Sequence, residues 1–224
     1  DPSLVYNPLR HTDHLCLQFL RARAFNLKDA LLMFSNCERW REENQIAALI
    51  SFKLAPHASA KLHELYPRYY HKTDGWGRPL YIEALSKFDY KSIFSVVNED
   101  ELFKSHIASY EHLYRVRYPA CSAVAGHHIE ESFIILDCYN APLMQIGKIM
   151  SMIGKITEIS KNYYPECMFK MYVINTPMMF SGIYSCIKPL LDSATKKKIQ
   201  VVGSSYSKLL LEYIPSENLP IYYG

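Results

Sequence analysis

The sequence predicts an α/β protein: a small all-helical unit over residues 1–55, then a mostly parallel sheet crossed by helices over residues 56–224. Three observations carry this. The opening segment holds two capped helical periodicities, and the remainder alternates strand, helix, strand, helix, strand. SFIILD is a continuous apolar run of strand length, the kind that a parallel sheet buries on both faces. At 224 residues and 49% hydrophobic composition, the chain has ample material for a core.

Each element has its own signal. In TDHLCLQFLRARAF, Thr12 is an N-cap, Asp13 sits in the first turn, and Leu15, Phe19 and Ala22 share a face. Asn26 caps LKDALLMFSNCERWREEN, where Leu27, Ala30, Leu31, Phe34 and Cys37 recur at helical spacing. The helical unit ends near Pro56. RPLYIEAL reads as a strand. NEDELFKSHIASYEHLYRVRY reads as a long helix with Phe103, Ile107, Tyr110 and Tyr114 in one stripe, stopped before Pro119. After SFIILD, Pro142 stands near a helix start, and Leu143, Ile146, Ile149, Met150, Ile153 and Ile156 keep helical spacing. KMYVIN is the next strand, MMFSGIYSCIKPLL an apolar helix and KIQVVG the last strand, with right-handed crossovers expected.

Composition removes several classes of function. The 25 basic and 22 acidic residues leave +3, too little to argue for nucleic acid as a partner. Six cysteines (Cys16, Cys37, Cys121, Cys138, Cys167, Cys186) are scattered with no CxxC pair, which reads as reduced thiols in a cytoplasmic protein. No signal peptide opens the chain, and no apolar stretch approaches the roughly 18 residues that span a bilayer, so membrane work is expected to be peripheral. The chain opens on Asp1 and stops at Gly224, as a piece trimmed from a longer protein would.

Enzyme signatures are missing too. There is no GxxxxGK[ST], GxSxG or HExxH, and DGWGRP lacks the third glycine and the preceding strand of a dinucleotide fingerprint. Cys121 with His127 and His128 matches no metal-ligand spacing, and Cys167 lacks the basic partner of a thiol phosphatase. A lipid hydrolase using Cys121 or Ser132 would have no base and orienting residue at motif spacing. No catalytic residue, metal or cofactor is assigned.

Two stretches remain. In the segment 178–191, Met178, Met179, Phe180, Ile183, Tyr184, Ile187, Leu190 and Leu191 spread around much of the helix, so apolar surroundings are expected on both faces. That helix is either buried between the sheet and another layer, or a gate over an apolar cavity, loosened by Gly182 and Pro189. KPLLDSATKKKIQVVG packs Lys196, Lys197 and Lys198 together, and a charge run is by default a solvated surface.

The segments FLRARAFNLKDALLMFSNCERWREEN, YYHKTDGWGRPLYIEAL, RYPACSAVAGHHIEESFIILD, ISKNYYPECMFKMYVINTPMMF, KPLLDSATKKKIQVVGSSY and IPSENLPIYYG, in this order, resemble the CRAL-TRIO lipid-binding family. Within it they are most similar to the phosphatidylinositol transfer, Sec-fourteen-like, branch. The resemblance implies a helical N-terminal subdomain before a domain whose sheet floors a hydrophobic pocket. Residues 178–191 match the helix that gates it, with Phe180, Ile183, Tyr184 and Ile187 on that helix. It also implies phosphatidylinositol transfer between membranes, exchange against a second lipid such as phosphatidylcholine, and presentation to a lipid kinase. The bound phospholipid would be the ligand, without a cofactor. A monomer is expected, cytoplasmic and transiently on Golgi or endosomal membranes. The alternative in the same family is a carrier of a sterol, tocopherol or retinoid, which needs no phosphate clamp.

Site residues follow from the same matches. Arg23, Glu166, Thr195 and Lys198 match the inositol-lipid head-group residues, and a phosphodiester taken out of water does need paired cations and donors. Thr195 and Lys198 share a side of a helical turn capped by Asp192, while Lys196 and Lys197 stay solvated or touch anionic membrane. Glu166 would repel a phosphate, so it is expected to accept inositol hydroxyl protons and to orient Arg23 or Lys198; Arg23 on its own would read as a surface salt bridge. Tyr70, Tyr81, Ser132 and Ser160 match the second-lipid head-group site, although Tyr70 and Tyr81 also read as strand-edge aromatics. Two positions depart from the pattern. Ile134 stands where the family has a threonine, which implies weakened choline-lipid binding, and Ala24 stands where a lysine is common.

Overall fold

Thr12 Oγ1 accepts a hydrogen bond from the Leu15 amide and Asn26 Oδ1 one from the Asp29 amide, so α1 (Asp13–Ala22) and α2 (Leu27–Glu43) start where predicted. The computed structural model describes residues 7–8, 10–142, 145–178, 180–191 and 193–224. Leu143, Met179 and Asp192, and the side chains of Ile146, Ile149 and Leu190, which the sequence reading places in helix stripes and a cap, lie outside what is described. Phe19, Met33, Phe34 and Cys37 form the core of the helical pair, with Leu15 and Ala22 packed against it. Leu27 and Leu31 do not join them; they are 72% and 48% exposed. A helix with apolar residues on two sides buries only the side its neighbour covers, and here that side runs through Ala30, Met33, Phe34 and Cys37. A 3-10 turn (Ile46–Ser51) and α3 (Pro56–Leu65), with Pro56 in its first turn, follow.

Five strands line up in sequence order: β1 (Arg68–Thr73), β2 (Pro79–Ala84), β3 (Ser132–Asp137), β4 (Met168–Ile174) and β5 (Ile199–Val201). The β2, β3, β4 and β5 ladders are parallel, and β1 is antiparallel to β2. The β1 strand, RYYHKT, is foreseen only in that Tyr70 also reads as a strand-edge aromatic, because its own pattern is weak and the hairpin is specified by the turn after it. There Asp74 is buried, its Oδ1 accepts from the amides of Trp76 and Arg78, and its Oδ2 accepts from Arg78 at 3.2 Å. Gly77 closes the turn at φ +95°, where an added Cβ would lie 2.9 Å from Ala125 Cβ. DGWGRP is thus a hairpin turn.

The pleat sorts the sheet into two faces. Leu80, Ile82, Phe133, Ile135, Tyr172 and Ile174 pack against Leu210, Ile214, Leu219 and Tyr223 from the C-terminal segment around α10 (Ser207–Leu211). Tyr81, Ile134, Leu136, Met171 and Val173 alternate with them on the other face. The second face is covered by helices. A short α4 (Tyr90–Phe94) precedes α5 (Glu99–His112), which opens on a capping box between Asn98 and Glu101. The predicted stop before Pro119 is not there. A π-turn (Leu113–Arg117) carries the helix into α6 (Tyr118–Ala125), where Pro119 sits in the first turn and needs no amide bond, and left-handed Gly126 ends it. The remaining helices are α7 (Ile146–Tyr163), α8 (Phe180–Ile187), with a 3-10 extension (Lys188–Leu190), and α9 (Ser193–Lys198). Among the described residues no helix is long and apolar enough to cross a membrane.

Candidate functional site

At the end of α9, Lys198 is held by two carboxylates. Its Nζ donates to Glu166 Oε2 at 2.9 Å and to Glu131 Oε1 at 3.3 Å, and Arg78 Nε lies 3.8 Å from the other oxygen of Glu131. Burial works against the ammonium, but the hydrogen bond and charge of Glu166, joined by Glu131, outweigh it and raise the Lys198 pKa. Burial lifts the Glu131 carboxyl above its ordinary range despite Lys198 and Arg78. Glu166 reaches the lysine from the turn before β4 with φ +55°, a conformation that costs a non-glycine residue on the order of 1–3 kcal/mol. Of the lysine run, Lys197 is exposed and Lys196 half-buried. Thr195 lies one turn before Lys198 on α9. Glu131, unmarked in the sequence, is as much a partner of Lys198 as Glu166 is.

Arg23 stands apart from this cluster. It forms the C-cap of α1, its Nη1 donates to the Ala22 carbonyl at 2.9 Å, and among the described residues no contact joins it to Lys198 or Glu166. Its neighbour Ala22 and Tyr163, three residues before Glu166, pack against the same apolar cluster.

The second-lipid candidates converge more closely. Tyr70, Tyr81 and Ser132 line one cavity of about 60 Å³ together with Ile134, His106, Ser109, Tyr110 and Cys167. Ser160 stands behind it: its hydroxyl donates to the Ile156 carbonyl at 2.9 Å and accepts from the Tyr110 hydroxyl at 2.8 Å. Ser132 Oγ meets the Tyr118 hydroxyl at 3.1 Å rather than an imidazole, so it has no base. Tyr81 is already engaged, donating to Glu83 Oε2 at 3.2 Å, and the Arg117 guanidinium lies 4.4 Å over the Tyr70 ring.

Sequence reasoning passed over His106. Its Nε2 is buried without a hydrogen-bond partner among the described residues, and burial, then the Arg68 charge, push its pKa down to about 3, so a neutral imidazole faces the cavity. The signal was available, since His106 and Tyr110 are four apart on one helical face. Burial pushes the Cys167 thiol up to about 11, which keeps it protonated and a poor nucleophile at neutral pH. Cys121, His127 and His128 do not converge: His127 packs on Trp76 and His128 stacks on His14.

Over the same sheet face lies α8. Phe180 is buried against Cys138 and Val173, and Ile183 and Tyr184 pack with Leu136 and Met171, while Ile187 is half-buried. Apolar surroundings on both faces are not found along α8, because its outer side carries Ser181, Gly182, Ser185 and Cys186, all exposed. Met178, just before it, is 97% exposed. A cleft of about 1170 Å³ lies elsewhere among the described residues, between α1–α2 and α5–α6, and is lined by charged groups such as Arg10, Glu38 and Arg39 that suit no acyl chain.

The CRAL/TRIO domain family profile matches residues 63–224. A "Sec14 cytosolic factor" of Schizosaccharomyces pombe is 42% identical over 215 residues, covering 96% of this chain and 75% of that protein. A "SEC14 cytosolic factor" of Kluyveromyces lactis is 39% identical over 222 residues, covering 99% of this chain and 73% of that protein. A "Phosphatidylinositol/phosphatidylcholine transfer protein" of Arabidopsis thaliana, SFH9, is 33% identical over 224 residues, with 99% of this chain and 38% of that protein covered. Among solved structures, Sfh5 shares the fold at a TM-score of 0.70 and 18% identity, covering 90% of this chain and 67% of the other.

Proposed function

The chain belongs to the CRAL/TRIO domain family, and from that membership we propose that it is a carrier rather than an enzyme, binding phosphatidylinositol and moving it between membranes. One observation carries the reading: a lysine held ready by two carboxylates lies beside a sheet part of whose helix-covered face is capped by the short α8, through Phe180, Ile183 and Tyr184. A diacyl lipid has on the order of 30 methylenes, and at ~0.8 kcal/mol for each, exposing its tails to water costs about 25 kcal/mol. A carrier must therefore supply an apolar surface as continuous as the bilayer's.

In the mechanism we infer, α8 swings away from β3 and β4 at the membrane, and acyl chains take the contacts that Phe180, Ile183, Tyr184 and Ile187 release. Apolar contacts are exchanged rather than lost, so exchange of one lipid for another is close to balanced. The lipid phosphate replaces a carboxylate at Lys198, with Thr195 as a hydroxyl donor, while Glu166 accepts from inositol hydroxyls and Arg23 closes the site from α1. Residues 1–55 serve as the helical subdomain that brings Arg23 there. A second lipid head group is received by Tyr70, Tyr81, Ser132 and, through Tyr110, Ser160. Ile134 adds no donor, which disfavours choline lipids. We read the protein as a cytoplasmic monomer that touches Golgi or endosomal membranes peripherally and hands phosphatidylinositol to a lipid kinase. A sterol, tocopherol or retinoid carrier is the less favoured reading, since Lys198 and Thr195 would then have no anion to bind.

Mass spectrometry of lipids co-purifying with the protein, together with vesicle-to-vesicle transfer, tests this. Phosphatidylinositol in the bound pool and transfer of it are expected. A pool of neutral lipids without any inositol lipid would overturn it.

A further inference from the structure

We propose that His14, His128 and Glu130 form a site for a divalent cation of the zinc type, which fastens α1 to the segment leading into β3. The α1 helix turns one face, positions 14, 18 and 21, toward residues 128–130. The His14 ring stacks on His128 with centroids 3.4 Å apart and planes 11° apart, the buried Gln18 donates Nε2 to the Glu130 carbonyl at 3.4 Å, and Arg21 pairs with the Glu130 carboxylate. His128 Nε2 lies 3.1 Å from Glu130 Oε2.

Each of the three residues offers one ligand atom, and these atoms all lie within 4.8 Å of one another. Two imidazoles and one carboxylate are a donor set that tetrahedral zinc accepts, with bonds of about 2.0–2.2 Å that set the ligand atoms roughly 3.4 Å apart. Closing that gap requires one ring to leave the stack, since two parallel rings cannot both aim in-plane lone pairs at one ion. Both histidines are exposed and can turn. Arg21, 41% exposed, releases Glu130 by swinging into solvent. His14 and His128 line the 1170 Å³ cleft, which supplies the ion's path and leaves room for a water at the fourth position. No ligand motif announces the site, because the fold brings the donors together from distant parts of the chain.

Glu130 directly precedes Glu131, the partner of Lys198, and Ser132 of the second cavity. On the functional reading given above, the ion therefore steadies the segment that feeds both head-group sites.

The test is calorimetric titration of the whole chain with Zn²⁺, paired with visible absorption of Co²⁺ as a reporter of tetrahedral coordination. One ion per chain and cobalt bands of tetrahedral type are expected. His14→Ala and His128→Ala each lower affinity by on the order of tenfold or more, and Arg21→Gln raises it severalfold by freeing Glu130. His57→Ala, at an exposed histidine away from the cluster, leaves it unchanged. Zinc binding that survives the His14→Ala/His128→Ala double variant, or no binding below millimolar zinc, overturns the proposal. Circular dichroism of each exposed-site variant verifies its fold, and none of these variants touches the residues assigned to lipid.

Discussion

Lys198 and Glu166 meet at 2.9 Å, the lysine from the end of α9 and the carboxylate from a left-handed residue before β4. The pair orients the cation and also competes for it. An anion that approaches Lys198 meets the charges of Glu166 and Glu131 already there, so Glu166 bears on both the aim and the threshold of binding.

Replacing Lys198 with Ala, or Glu166 with Ala, is expected to lower phosphatidylinositol transfer between vesicles by about 10–100-fold, the worth of a hydrogen bond to a charged group at roughly 1.5–3 kcal/mol. Circular dichroism should show the wild-type fold. Undiminished transfer by folded variants would remove both residues from the site.

Ile134 lines the cavity shared by Tyr70, Tyr81, Ser132 and His106 and brings no donor to it. Ile134→Thr is therefore expected to improve phosphatidylcholine binding about fivefold, the value of one net hydrogen bond near 1 kcal/mol. A competition assay between choline and inositol lipids measures it, and an unaltered ratio would mean that the isoleucine is not what disfavours choline.

Phe180 anchors α8 at 7% exposure. Phe180→Ala is expected to weaken that anchor by about 3–5 kcal/mol and to accelerate amide hydrogen exchange across residues 180–187 ahead of the rest of the sheet. Exchange that rises only with global unfolding would show that α8 does not move by itself.

Arg41 and Glu111 tie α2 to α5 with two parallel bonds of 2.8 Å, and Tyr164 donates to the same carboxylate at 2.8 Å. Arg41→Ala removes both of these bonds and leaves the carboxylate to Tyr164 and to Arg115, whose Nη2 lies 3.0 Å from Glu111 Oε2, an expected loss of about 1.5–3 kcal/mol, or on the order of 5 °C in Tm by calorimetry. Burial raises the Glu111 pKa, but the Arg41 hydrogen bond and charge outweigh it and hold the carboxyl below its usual range. With a folded-state value below the unfolded one, the stabilisation is complete above the ordinary carboxylate range and fades as pH falls through the lowered value. Acid titration of Glu111→Gln should lack that part of the wild-type loss; coincident curves would contradict it.

Much of the candidate site can be read along the chain. Lys198, Thr195 and Glu166 stand in matched motifs, and Tyr70, Tyr81 and Ser132 do meet in one cavity. His106 and Glu131 escape notice because a helix histidine and a glutamate before a strand look ordinary until burial and partners are known. Pro119 misleads for a related reason: a proline stops a helix only where its amide is needed, and the π-turn before it removes that need.

The sequence by itself determined the caps at Thr12 and Asn26, the parallel strands and the apolar covering helix, since each rests on interactions within about four residues or on side-chain periodicity. Only the tertiary structure decided which side of α2 is buried, that RYYHKT joins the sheet, and that Glu131 holds Lys198 and His14 meets His128. Those outcomes turn on partners far apart in the chain, and no local pattern carries information about a neighbour that folding has yet to supply.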